Sequence, residues 1–267
     1  MPAVSNPCVR FEDYRDRYQH IRMERRDGIL QMRFHKDGGP FRMCALAHAE
    51  CADAFYQVSA DHENIIVILT GTGEVFCTQW DRDFQHDSGE ALAKIHWEGR
   101  RILQNLLDIE ALVISAINGP SFVHCFPVAC DIVLCAEDTM FQDQHIKDIG
   151  VVVGDGANIV WQHLMGPTRG KYFLLTGELL PADEAKRLGV VNEILPRARV
   201  LPRAWELAQD LAKRPHTALR YSRLALNQQW RRLMLDDLAM SYGLQQLGAT
   251  TTRDSHFGRR VFPDGKE

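Results

Sequence analysis

Strands and helices alternate through the first two-thirds of the chain and helices alone follow, which predicts an α/β core with a helical C-terminal extension. Three observations carry that prediction. Continuous apolar runs of strand length stand at 65–70 (IIVILT), 111–118 (ALVISAIN) and 128–136 (VACDIVLCA). Runs apolar at every position suit strands covered on both faces, as in a parallel sheet. Segments with helical spacing separate them, and from 201 to 250 Leu, Ala and Arg recur as three further helices. The expected division is a core over 1–200 and a helical region over 201–267.

Taken in order, residues 1–20 are a polar lead-in with a turn or two of helix at FEDYRDRY. RMERRDGILQMRFHK alternates around Asp27-Gly28, the signature of a hairpin, and GGP at 38–40 ends it. Apolar residues at 45, 49, 52, 55 and 56 make Cys44 to Asp61 an amphipathic helix, with His48 on or beside its apolar stripe. The strand at 65–70 ends in GTGEVFC, a turn suited to presenting backbone N–H groups to a ligand. It is not GxGxxG and has no Gly-Lys-Ser/Thr, so nucleotide binding is not indicated. Residues 80–90 are charged and irregular, and a helix is expected from Glu90 to Ile109. Asn118-Gly-Pro closes the next strand, and MFQDQH begins a fourth short one. Asp155-Gly-Ala-Asn opens a helix through His163; helices at 168–176 and 182–188 and a strand at 190–195 follow. After Thr250 the chain is polar. No internal repeat is visible.

Composition excludes several classes. A chain of 267 residues with 45% apolar and 25% charged residues can bury a large core. A net charge of −4 gives no electrostatic reason to bind nucleic acid or an anionic membrane. No apolar run approaches the ~18 residues of a membrane span, and the first residues lack the apolar stretch of a secretory signal. Seven cysteines, an odd number without a CxxC pair, fit a reducing cytoplasm.

Three residues between Asn118 and Gly156 have no packing reason to be there: His124, His145 and Asp155. Each follows a strand on a loop, where open α/β sheets bind ligands. A carboxylate that orients an imidazole makes a general acid–base pair. Plainer readings stand beside this one. His124 alone could be a core-edge histidine bonded to a carbonyl, and Asp155 could cap a helix, worth about 1 kcal/mol. Two histidines and a carboxylate could bind a metal, although spacings of 21 and 10 match no helical pair. Cys125, beside His124, is the one plausible nucleophilic thiol. Ser121 is the only nearby serine, outside any G-x-S-x-G.

The ordered series ILTGTGEVFC, AINGP, CDIVLCAED-TMF, the G-x-G at 154–156 and YFLLTGELLPADEAKRLGVVNEIL resembles the crotonase (enoyl-CoA hydratase/isomerase) superfamily over about residues 20–250. That resemblance implies a spiral of ββα units whose C-terminal helices pack in a homotrimer, often a dimer of trimers. Two departures bear on function. Where most crotonases run into a glycine triplet and then a glutamate, this chain has Pro120-Ser-Phe-Val-His-Cys-Phe-Pro127. The second hydratase glutamate is replaced by His145. Both usual acid–base carboxylates of a hydratase are therefore missing.

Asn-Gly-Pro followed by a histidine, FQD with a histidine nearby, GDGA, YFLLTG, VNE and LPRAWELA look like the 6-oxocamphor hydrolase branch, the β-diketone hydrolases. The implied reaction is retro-Claisen cleavage of a C–C bond between two carbonyls of a small diketone, without coenzyme A or other cofactor. Carried over, Asp155 and His124 match site residues. His145 stands one place before the family's histidine, and His48 matches one on the early helix. The resemblance makes His145, oriented by Asp155, the base for water, and His124 the donor to the carbonyl that becomes an enolate. Met43 stands where the family has Trp and Gln245 where it has a carboxylate; Glu193 or Asp237 are the residues that could compensate. Trp80, Phe84, Phe122 and Phe126 are expected in an apolar lining. The competing readings are a CoA-thioester lyase or isomerase, and a crotonase-like biosynthetic protein with altered chemistry.

Overall fold

The computed structural model describes residues 9–81 and 89–251. After one helical turn, α1 (Phe11–Tyr14), come β1 (Ile21–Arg26) and β2 (Ile29–Phe34), paired antiparallel across Asp27 and Gly28. Both turn residues have positive φ, 51° and 74°, which suits the twist of the hairpin. The chain then repeats one path: a long strand, a short strand, a helix. β2 leads to β3 (Phe41–Met43) and α2 (Ala45–Ala60). β4 (Ile66–Thr70) leads to β5 (Cys77–Trp80) and α3 (Gly89–Asp108). β6 (Leu112–Ile117) leads through Ser121 to a single 3₁₀ turn, Phe126–Val128. β7 (Ile132–Ala136) leads to β8 (Met140–Phe141), a π-helical turn at His145–Ile149 and α4 (Ala157–Met165).

The long strands form one sheet in the order β1-β2-β4-β6-β7-β10, where β10 is Glu193–Leu195, and all pairs after the hairpin are parallel. The short strands form a second layer. β3 pairs with β5, β8 pairs with β9 (Leu180–Pro181), and Ser121 bridges Cys77 on one side and Phe141 on the other. The repeat lies in the path of the backbone, which explains why the residues themselves show none. The remaining helices are α5 (Pro167–Thr176), α6 (Ala182–Arg187), α7 (Arg197–Leu211), α8 (His216–Leu226) and α9 (Gln228–Thr251).

The uninterrupted apolar runs are explained by two cores, one on each face of the large sheet. Val67 and Leu69 point into the main core, against residues of α2 and α3. Ile66 and Ile68 point into the other, with Val200, Ala204 and Ala208 of α7. Each fully buried aliphatic side chain contributes roughly 1.5–3 kcal/mol. The expected boundary at residue 200 falls inside α7. The strand expected from residue 128 begins only at Ile132, because Phe126–Val128 winds into the 3₁₀ turn around Pro127.

Candidate active site

The Asn118-Gly119-Pro120 turn lies against the GTGEV turn before β5. Asn118 Nδ2 donates to the carbonyls of Gly73 and Val75 at 2.8 and 3.1 Å, and the Phe76 N–H donates to Pro120 O at 2.9 Å. A Cβ on Gly119 would sit 1.9 Å from Glu74 O, so only glycine fits. The following residues are fixed by backbone bonds: Ser121 N–H to Met140 O, and the Phe122 and Val123 N–H groups to Cys77 O. Ser121 therefore serves as a stitch in the short-strand layer.

His124 then takes a left-handed conformation, φ 65°, uncommon for a side chain with a Cβ. Phe126 N–H donates to His124 Nδ1 at 3.3 Å. The Phe126 ring is itself locked among Phe34, Phe55 and Phe76, with centroids 5.4, 5.7 and 5.9 Å away. Since Nδ1 accepts, the ring proton sits on Nε2, and that atom is buried with no hydrogen-bond partner among the described residues. Burial pushes the pKa of His124 down to about 4, against the opposing charge of Asp155. At neutral pH His124 is an uncharged donor with no acceptor among the described residues.

His145 is the reverse case. As the first residue of the π-helical turn, it donates Nδ1–H to Asp143 at 3.0 Å and Nε2–H to Asp155 at 3.2 Å. Burial works against its charge, but the two carboxylates outweigh it and hold the pKa well above the ordinary value. Asp155 shows the complement: burial pushes its carboxyl up, and the His145 cation more than offsets this, leaving it below the usual range. Asp155 also has positive φ, 49°, and its Oδ1 accepts the Ala157 N–H at 3.3 Å. The carboxylate thus touches both the helix start and the imidazolium. The helix cap itself is Gly156, one residue beyond the expected position.

Behind His124, across a ring-centroid distance of 6.4 Å, lies His48 on α2. Its Nδ1–H donates to Glu98 Oε2 of α3 at 3.0 Å, and both side chains are buried. His124, His145 and Asp155 line a cavity of about 10 Å³ with Trp80, Phe122, Gln142, Gln144 and Trp161. That is about the room a single water needs.

The other expected site residues are placed as follows. Met43 is wholly buried in the main core, opposite Trp80 in the short-strand layer. Gln245, on α9, lies against Gly154, where a Cβ would come within 2.6 Å of the glutamine Cβ. Phe126 supports His124 and does not line the cavity. Phe84 lies outside the described residues. Glu193 is held by Arg203 at 2.9 and 3.0 Å. Burial pushes the Cys125 thiol far up, with Asp155 and Asp143 adding to it, which removes it as a nucleophile. No cluster suited to a metal ion occurs among the described residues. Reading the chain alone missed Asp143 and Glu98. Glu98 had a signal: it interrupts the apolar stripe of Ile95, Gly99, Ile102 and Leu106.

The spiral of strand–strand–helix turns defines the class, a crotonase fold. The chain belongs to the enoyl-CoA hydratase/isomerase family, whose sequence profile matches residues 24–262. A solved β-diketone hydrolase from the cyanobacterium Anabaena sp. PCC 7120, bound to (S)-3-oxocyclohexyl acetic acid, is 41% identical with a TM-score of 0.86, covering 88% of this chain and 96% of that one. An enoyl-CoA hydratase/isomerase from Mycobacterium paratuberculosis shares the fold at TM-score 0.84 and 22% identity, covering 93% and 99%. Among curated relatives, 4-chlorobenzoyl coenzyme A dehalogenase-2 from Arthrobacter is 28% identical over 203 residues, 73% of each chain.

Proposed function

We propose that this protein is a hydrolase that cleaves a C–C bond of a cyclic β-diketone by retro-Claisen chemistry. The carrying observation is the buried Nε2–H of neutral His124, without a partner among the described residues, at a water-sized cavity beside a clamped imidazolium. Such a reaction needs a donor at each carbonyl and an acceptor for the proton of water. His124 supplies the donor for the carbonyl that becomes the enolate. His145, already charged, is a donor too; its Nε2–H, shared with Asp155, meets the oxyanion formed when water adds. This departs from the expected role of His145 as base, because a histidine protonated between two carboxylates has no lone pair to offer.

The similarity to a β-diketone hydrolase supports the same reading. The alternative, a CoA-thioester enzyme, is favoured by the dehalogenase relative. Against it, four of the loop N–H groups that could meet a thioester carbonyl, those of Ser121, Phe122, Val123 and Phe126, are committed within the chain. Assembly as a trimer or dimer of trimers belongs to the same proposal: Met240 and Leu244, one turn apart on α9, are exposed apolar side chains.

The test is loss of diketone ultraviolet absorbance, with product acid identified by mass spectrometry, on a panel of cyclic 1,3-diketones. Turnover in the wild type that falls at least about 10²-fold in folded Asp155→Asn is expected. No turnover on any member, with retained acyl-CoA binding, would favour the thioester reading instead.

A further inference from the structure

The cavity beside His124 and His145 has room for about one water, and a cyclic diketone is far larger, so part of its wall must yield when substrate binds. The lining divides by exposure. Asp143, His145 and Asp155 are buried and fastened to one another, and Cys125, Ala157 and Trp161 are buried with them. Trp80, Phe122 and Ile149 are partly exposed among the described residues. Side chains near a surface change rotamer quickly, whereas a packed interior resists deformation. The outer three therefore give way and the inner set stands.

Among the inner residues Trp161 is the one large apolar side chain. It lies on α4 one turn beyond Ala157, and both line the cavity from the helix that Asp155 leads into. Ala157 leaves room beside the carboxylate, and Trp161 closes the space beyond it. The indole is backed by two further rings. The centroid of Phe173 on α5 is 4.6 Å away and that of Phe141 on β8 is 6.1 Å away. Neither of these lines the cavity, so they hold the indole from its far side. Both are buried, and Trp161 itself is 4% exposed. Rings packed at these distances attract one another and leave the indole nowhere to retreat.

We propose that Trp161 is the specificity-determining residue of this site, a fixed stop that limits how far a diketone ring extends from its two carbonyls; the inference rests on the hydrolase reading. With one carbonyl oxygen at His124 Nε2 and the other at His145, the apolar part of the ring gains most by lying against the indole, away from water. Bulk added to that part of the ring meets a side chain that cannot move aside. A hydrophobic pocket discriminates in this way by roughly 10–200-fold for each methylene.

The probes are the panel diketone that the wild type cleaves fastest and its homologue with two methyl groups added on a ring carbon away from the carbonyls. The wild type should favour the smaller by at least about 10-fold in kcat/KM. Trp161→Leu, shown to be folded by circular dichroism, should reduce that preference about 10-fold, and Trp161→Phe should move it the same way by less. Ile149→Ala loosens the outer wall and should change the rates on both substrates in the same proportion. A wild type that cleaves both homologues equally well overturns the inference without any variant. An unchanged preference in folded Trp161→Leu also overturns it, as does one in Trp161→Phe where the leucine variant does not fold. So does a shift in Ile149→Ala as large as that in Trp161→Leu. In each of these cases wild-type turnover, and the hydrolase reading, still stand. A wild type that hydrolyses no diketone overturns the hydrolase reading, and this inference with it.

Discussion

Two buried polar constellations in this molecule are built from the same kinds of side chain and end in opposite conditions. The first ties α8 to the core. Arg223, 1% exposed, donates Nε–H to Asp131 at 2.6 Å, while its other nitrogens donate to the carbonyls of Leu106, Leu107 and Ile109 at the end of α3. Asp131 also accepts the Val113 N–H at 2.7 Å and the Asn227 amide at 3.0 Å. The second is the Asp143–His145–Asp155 clamp with His124 beside it. There Nε2 of His124 has no partner among the described residues, and two residues that are not glycine, His124 and Asp155, stand at positive φ. A satisfied network holds a structure together. An orphaned donor on a strained backbone marks a place that something else completes.

The comparison breaks if the two sites respond alike. His124→Ala should lower diketone turnover about 10²–10⁴-fold, as loss of a proton-handling group does, with unfolding in urea shifted only slightly. Arg223→Ala should do the opposite. It leaves Asp131 and three carbonyls, two in the last turn of α3 and one just beyond it, without their cation, and unfolding should become easier by about 3–5 kcal/mol. The kcat per folded molecule should hold. A loss of turnover in Arg223→Ala at full folding would mean that the anchor reaches the site through α3.

The sequence reading went furthest where a feature is local. The three apolar runs are strands because each faces two cores, and Asp27-Gly28 turns the hairpin because both residues accept positive φ. His124, His145 and Asp155 stood out because they follow strands on loops. Their partners did not. Glu98 lies 50 residues from His48, and only the packing of α2 on α3 brings them together. Asp143 is two residues from His145, yet its role depends on the π-helical turn that folds the imidazole back onto it. The left-handed turn at His124 has no signature either, since histidine does not require it. Met43 shows the converse: a family position suggested a site residue, and side-chain packing puts it in the core.

Acid titration sharpens the contrast through opposite signs within the site itself. His124 titrates near 4 folded against 6.5 unfolded, so below 6.5 the unfolded chain binds a proton that the folded one refuses. Its contribution is complete above 6.5 and lost as pH falls toward 4, about 3 kcal/mol in all. His145 runs the other way: its pKa is raised, so its contribution is present below 6.5 and lost only as pH rises through that raised value. Asp155 loses its contribution below 3.8, outside the window of His124. Urea unfolding between pH 4 and 6.5 should therefore show stability rising with pH in the wild type and a shallower rise in His124→Gln. The Arg223 guanidinium stays charged throughout, so Arg223→Ala should lower the whole curve and leave the His124 slope in place. An unchanged slope in His124→Gln would mean that His124 is solvated in the folded protein, and the partnerless donor on which the site reading stands would be gone.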